Sequence, residues 1–314
     1  MNWMALSRIV RIVSRITLLL SLAIPYGCSD RGEAKVVDLS ETIPVERPGE
    51  QPPPGDALQV AVASMISPKE TFANYRRLLH YIGNRVGKDI ELIQRKTYVE
   101  INELLGKGEI DLAFTCSGPY AMGKEEYDLQ LLAAPQVHGS HFYHSYLIVK
   151  ADSSYQSIED LRGRVFAFTD PDSNTGKLVP TYWLMQMGER PETFFSEIMY
   201  TYSHDNSILA VSRGLVDGAA VHGLIWEYYQ SKNPTFTSRT RIIKKSEPYG
   251  IPPLVTSSYL SADLRERLGD VLFSMHTDPE GQEILKELMI GRFVSPRDEW
   301  YESIRHMKQA IARR

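Results

Sequence analysis

The sequence predicts an α/β protein of two lobes, and three observations carry that reading. Strand-like and helix-like segments alternate from residue 58 onward. The alternation runs through twice. A C-terminal strand and helices are then left over, in position to return to the first set. Alternation of this kind signals right-handed crossovers in a largely parallel sheet.

In the first set, residues 58–63 (LQVAVA) read as a buried strand, followed by a turn at Ser67-Pro68. An amphipathic helix follows from about Lys69, with Phe72, Tyr75, Leu78, Leu79 and Ile82 at helical spacing. A strand over 90–94, a helix over 98–106 and a strand over 111–115 complete this set. The second set has strands at 142–149, 164–168, 197–200 and 218–221. A helical turn opens at Ile158, and helices cover 178–187 and 206–213. Beyond Lys245 come a Pro-rich crossing over 248–253, a strand over 254–257 and two or three terminal helices. Two sets and a returning segment imply two lobes joined by crossing strands. The cleft between them is where a small ligand is expected. Within it, the carboxyl ends of strands and the helix N-termini that follow are the favoured places.

The folded body does not begin at residue 1. Arg8, Arg11 and Arg15 form a basic region, and residues 16–24 (ITLLLSLAI) a short apolar one ending at Gly27-Cys28. The apolar run is well short of the ~20 residues that span a bilayer, so the layout is that of an export signal over residues 1–28. Cys28 after a small residue resembles the lipid-acceptor Cys of a lipoprotein signal, although Pro25 and Tyr26 depart from the usual pattern. A plain cleaved signal with an incidental Cys is the alternative. Residues 29–56 are polar and Pro-rich, which reads as a disordered tether. The chain is therefore expected to be exported, periplasmic or at the cell surface, and held to the membrane by lipid on Cys28. If Cys28 carries lipid, Cys116 is alone and packs as a small hydrophobe in DLAFTCSGPY.

Composition excludes some functions. Of 314 residues, 43% are hydrophobic and 24% charged, as in an ordinary globular protein, and the net charge of −4 gives no basic footprint for nucleic acid. An anionic ligand must then be captured by local donors. Neither a P-loop, a dinucleotide fingerprint nor a serine elbow is present, and no cofactor is expected.

Three strand-to-helix loops can supply such donors. The first, over 168–176 (FTDPDSNTG), offers hydroxyls, backbone N–H groups and a Gly where a helix begins. A helix N-terminus carries unpaired N–H donors and about half a positive charge, which suits an oxyanion. Ser173 or Thr175 as a mere helix cap is the competing reading. The second loop, over 203–207 (SHDNS), places His204 as a donor or as part of a capping cluster. The third, over 115–120 (TCSGPY), ends the third strand. Tyr120 there and Tyr98 at the start of the preceding helix either donate a phenolic O–H into the cleft or pack in the core. His138, His141 and His144 form an apparent metal run, but no carboxylate or Cys stands at ligand spacing, and no metal site is expected.

Taken in order, four segments are similar to one family. DPDSNTGKLVP is followed by SHDNSILAVSRGLVDGAAVHGLIWEYY. TYVEINELLGKGEIDLAFTCSGPYAMG precedes both, and SEPYGIPPLVT comes last. Together they resemble the phosphate/phosphite/phosphonate-binding proteins of ABC transporters over residues 58–300. The resemblance implies a type II periplasmic-binding-protein-like fold. Each lobe is then a mixed, mainly parallel sheet flanked by helices, and a two-strand hinge near 147–151 and 247–250 closes the lobes on the ligand. Residues 57–148 with 249–314 are assigned to one lobe and 149–248 to the other. It also implies Ser173, Asn174 and Thr175 as oxyanion donors, with Asn174 in place of the family's usual Thr, together with His204, Tyr98 and Tyr120. By the same resemblance, His222 and the apolar turn Ile251-Pro252-Pro253 fall in the region where aminophosphonate binders hold carboxylates, and His222 is a further candidate for contact with the anion or for support of the residues that make it. The expected ligand is therefore phosphate, phosphite or a simple phosphonate without an amine.

The expected function is solute capture for an ABC permease in the inner membrane, by a monomer. The alternative is a sensory module in which the same closure signals. An enzyme is disfavoured, because no paired acid/base set or activated nucleophile accompanies the anion loop.

Overall fold

Strand β1 (Leu58–Val62) opens the described part of the chain and is buried almost throughout. The structure is a computed structural model describing residues 57–313, the side chains of 72–74 excepted. The export-signal segment, Cys28 and the Pro-rich tether lie outside the described residues.

Helix α1 (Pro68–Val86) begins with Pro at its first position, where the missing N–H would be unpaired anyway. It stops at Gly87, whose φ of 67° is a left-handed conformation that glycine adopts without steric cost. Strand β2 (Ile90–Ile93) leads to α2 (Tyr98–Gly106), which starts with a capping box between Thr97 and Glu100. Next come β3 (Leu112–Phe114), α3 (Ser117–Gly123), β4 (Gln130–Gln136), β5 (Phe142–Tyr143) and β6 (Ser145–Lys150). Strand β7 (Val165–Phe168) is followed by a π-helical turn, Asn174–Leu178, that runs into α4 (Val179–Gln186). The chain continues through α5 (Pro191–Phe194), β8 (Glu197–Tyr200), α6 (His204–Ser212), β9 (Gly218–His222) and α7 (Gly223–Lys232). The last elements are β10 (Thr240–Lys245), β11 (Tyr249–Gly250), β12 (Leu254–Thr256), α8 (Ala262–Ser274), α9 (Pro279–Glu287), β13 (Arg292–Val294) and α10 (Glu302–Ala312).

These strands form a six-stranded sheet, β13-β4-β12-β3-β1-β2, and a five-stranded sheet, β10-β6-β9-β7-β8. The expected mixed α/β architecture is present, with less parallel pairing than expected. In the first sheet β1 pairs in parallel with β2 and β3, but the returning β12 runs antiparallel to β3 and β4, and β13 antiparallel to β4. In the second, β7 is parallel to β8 and β9, whereas β6 is antiparallel to β9 and β10.

The run over 142–149, read as one strand, is two. Phe142 and Tyr143 pair with Gly250 and Tyr249, joining the outgoing and returning chains as a separate two-stranded ribbon. His144 then breaks the run, its Nδ1 2.7 Å from the Ser246 carbonyl oxygen, and Ser145–Lys150 enters the five-stranded sheet. The expected boundary between 148 and 149 therefore cuts a strand that belongs wholly to that sheet.

Candidate functional site

The loop after β7 becomes the π-helical turn because Ser173 caps it. The Gly176 N–H donates to Ser173 Oγ at 3.0 Å. The capping reading of Ser173 is thus realised, and its hydroxyl also lies beside that of Tyr98. Asn174 and Thr175 are fully buried beside it. Asn174 Nδ2 donates to the Tyr143 hydroxyl at 3.1 Å, while its Oδ1 has no partner. The Thr175 hydroxyl also has none.

His204 occupies the first turn of α6, which begins two residues earlier than the hydropathy pattern suggested. Its Nδ1 accepts the His222 backbone N–H at 3.1 Å, and the Thr169 hydroxyl lies 3.2 Å from the same nitrogen. Burial without a charged partner lowers its pKa to about 3, so the ring is neutral. With Nδ1 accepting, the single proton sits on Nε2, a buried donor with no partner. His222 is held well below the usual imidazole range, first by burial and then by His204. Its Nδ1 is also unpartnered.

Tyr98, at the head of α2, is fully buried, and its hydroxyl lies beside Ser173. Tyr120 does not join this group. It packs edge-on against Tyr301, with ring centroids 4.6 Å apart, and its hydroxyl donates to Asp298 at 2.6 Å. Arg305 and Lys124 hold the same carboxylate, so Tyr120 belongs to a structural ion cluster under α10. Tyr143, instead, lies against Ser117, Asn174 and His222. Its hydroxyl is 2.6 Å from Ser117 Oγ, and its ring lies 4.2 Å from that of His222. Sequence reasoning missed it because the run over 142–149 read as one continuous strand. The break at His144 is what separates Tyr143 from the sheet.

The first sheet's loops and the second sheet's loops meet at this group. The Tyr98 N–H donates to Asp170 Oδ2 at 3.2 Å, the Ser67 N–H to Asp205 Oδ1 at 2.9 Å, and the His204 N–H to the Met65 carbonyl at 2.9 Å. Burial raises Asp170 to about 6, opposed by the amide N–H groups of Asp172 and Tyr98. Gly118 makes the approach possible: a Cβ there would stand 2.6 Å from the Asp172 carbonyl oxygen and 2.9 Å from the Asn174 nitrogen. Cys116, next to it, is fully buried with its thiol pushed up to about 11 by desolvation, so it is not a nucleophile at neutral pH.

The histidine run is dispersed. His138 lies near Glu227, His141 stacks on Trp300, and His144 faces Ser246. Among the described residues, no group of three or more His, Cys, Asp and Glu could hold a metal ion. None of the described helices is long and apolar enough to cross a membrane.

What remains is a buried cluster of neutral polar atoms lacking partners: Tyr98 Oη, Thr175 Oγ1, Asn174 Oδ1, His204 Nε2 and His222 Nδ1. Buried polar groups are nearly always paired, so unpaired ones brought together between two sheets have hydrogen-bonding capacity to offer a polar guest. The model of one family, "ABC transporter, phosphonate, periplasmic substrate-binding protein", matches residues 60–301. The chain belongs to that family. Two curated relatives of these phosphonate-type binding proteins align over part of their length. The "Phosphate-import protein PhnD" of Mycolicibacterium smegmatis is 30% identical over 157 residues, which is 46% of this chain and 48% of that protein. The "Probable ABC transporter phosphite binding protein PhnD1" of Prochlorococcus marinus is 24% identical over 170 residues, 51% of this chain and 56% of that one. The chain thus spans about half the length of the curated relatives it matches. In fold it is similar to a binding-protein component of an ABC phosphonate transporter from Pseudomonas aeruginosa. The TM-score is 0.78 at 22% identity, covering 82% of this chain and 87% of that one.

Proposed function

We propose that this protein is the solute-binding component of an ABC importer, exported and lipid-anchored through Cys28, and that it closes around a small phosphorus oxyanion. The unpartnered cluster between the sheets carries the reading, and the family membership supports it. The donors are Tyr98 Oη, the Ser173 and Thr175 hydroxyls and His204 Nε2–H. A half-turn of the Asn174 amide adds another: Oδ1 then accepts from Tyr143, Ser117 donates to Tyr143 in turn, and the NH₂ faces the guest. The start of α6 lies at the same place, and its oriented N–H groups favour negative charge without any Lys or Arg. The guest replaces several unsatisfied contacts at once, which is the differential affinity that ligand-driven closure requires.

The two mobile bodies are the six-stranded and five-stranded sheets with their helices, and the β5/β11 ribbon is the hinge. The closed form is the one presented to a permease. All the site groups come from one chain, so a monomer suffices.

The guest carries no amine. The carboxylates of Asp170 and Asp205 are turned to the Tyr98, Asp172 and Ser67 backbone N–H groups, so an ammonium would have to compete with those bonds for a counter-charge. Calorimetry against phosphate, phosphite, methylphosphonate and 2-aminoethylphosphonate tests this. Binding of at least one of the first three, with 2-aminoethylphosphonate weaker by tenfold or more, is expected. Tightest binding of 2-aminoethylphosphonate would refute the ligand class, and no binding of any would refute the function.

A further inference from the structure

Next to the polar cluster lies a groove of about 140 Å³ that phosphate, phosphite or methylphosphonate would leave unfilled. It is walled on one side by Val62 and Phe114 of the six-stranded sheet with Ile66 from the loop after β1, and on the other by Leu224, Ile225 and Tyr228 of α7, the helix that follows β9, with the Pro252-Pro253 turn along one edge. His222 and Thr115 line it too, and each has a buried side-chain atom without a partner, Nδ1 and Oγ1 respectively. His222 also touches Tyr143 and lies beside His204, so the groove is continuous with the polar cluster through this ring. No charged side chain lines it among the described residues.

We infer that the physiological guest is an organophosphorus anion bearing an apolar substituent, its phosphoryl head in the polar cluster and its carbon tail in the groove. This rests on the function proposed above and narrows its ligand. The volume is close to the roughly 150 Å³ of an engineered apolar cavity that admits benzene, so a tail of about four to six carbons fits. A tail of that size removes enough apolar surface from water to outweigh the head-only ligand by at least about tenfold in affinity. The groove is walled by the six-stranded sheet on one side and α7 on the other, so a tail would also contribute to closure rather than only to binding on one side.

The test is calorimetry of the full chain with phosphate, methylphosphonate, butylphosphonate and phenylphosphonate, repeated on Ile225→Gln and on Leu224→Gln. Both side chains are only partly buried, so a polar amide is tolerated there without unfolding. The inference expects butylphosphonate or phenylphosphonate to bind at least about tenfold tighter than methylphosphonate, with that gain reduced in at least one groove variant and methylphosphonate affinity unchanged. If methylphosphonate or phosphate binds and neither larger ligand improves on it, the tail inference is overturned while the oxyanion site stands. A gain that survives intact in both variants also overturns it, because the tail then lies elsewhere. If none of the four ligands binds, the oxyanion reading itself has failed and the tail inference goes with it.

Discussion

The backbone N–H of His222 donates to Nδ1 of His204 at 3.1 Å, and this one bond decides what His204 can offer a ligand. It fixes the neutral tautomer with the proton on Nε2, and Nε2 is a buried atom without a protein partner. The site thus presents an oriented, uncharged N–H donor where a cationic side chain would otherwise be needed. A neutral donor avoids burying a charge before the anion arrives.

Thr175→Val separates binding from stability. The Thr175 hydroxyl is fully buried and unpartnered, so removing it deletes a desolvated polar group at nearly constant volume. Thermal stability without ligand should be unchanged or raised by about 1 kcal/mol, while ligand binding weakens by about 1–3 kcal/mol. Paired melting curves and calorimetry check both halves. A variant that loses stability and keeps its affinity would place the hydroxyl in the scaffold rather than in the site.

The buried histidines make the ligand-free protein acid-sensitive. His204, lowered to about 3, and His222, also lowered, take up protons more readily in the unfolded chain. Stability from these groups is therefore fully present above about 6.5 and is lost as pH falls from there toward about 3. Asp170, raised to about 6, acts in the opposite sense between its ordinary carboxylate range and about 6, and offsets part of the loss. In urea titrations across this window, His204→Ala should flatten the dependence by up to one proton, ~1.4 kcal/mol per pH unit. An unchanged slope would mean that His204 is charged or exposed in solution.

Tyr120→Phe and Tyr143→Phe should have opposite consequences. The Tyr120 hydroxyl donates to Asp298, which also has Arg305 and Lys124, so its loss costs about 1 kcal/mol of stability and leaves ligand affinity intact. The Tyr143 hydroxyl organises Asn174 and Ser117, so its loss lowers affinity. Melting curves and calorimetry on the pair decide the assignment, and a binding defect in Tyr120→Phe alone would reverse it.

Much of this was legible in the sequence because strand and helix periodicities are local. The helix expected near 98–106 spans Tyr98–Gly106, and the structure shows a Thr97–Glu100 capping box at its start. That residues 173–175 and 204 stand where strands hand over to helices is legible from the same local pattern. The errors came where a long-range contact decides. Strand β4 contains Pro135 and reads poorly as a strand, yet it pairs between β12 and β13. Tyr120 is drawn away from the polar group by Asp298, 178 residues from it, and Tyr143 is brought to it where the His144–Ser246 contact interrupts the strand. No spacing rule encodes either. The same holds for the groove beside His222, whose walls come from the six-stranded sheet and from α7.

The central claim is that the unpartnered cluster grips a phosphorus oxyanion, and a crystal structure of the protein with methylphosphonate tests it most directly. The account predicts the phosphonate oxygens within about 3 Å of Thr175 Oγ1, His204 Nε2 and Tyr98 Oη, with the methyl group turned toward His222 and the groove. Phosphonate density bound anywhere else, with those three atoms still unpartnered, would contradict it.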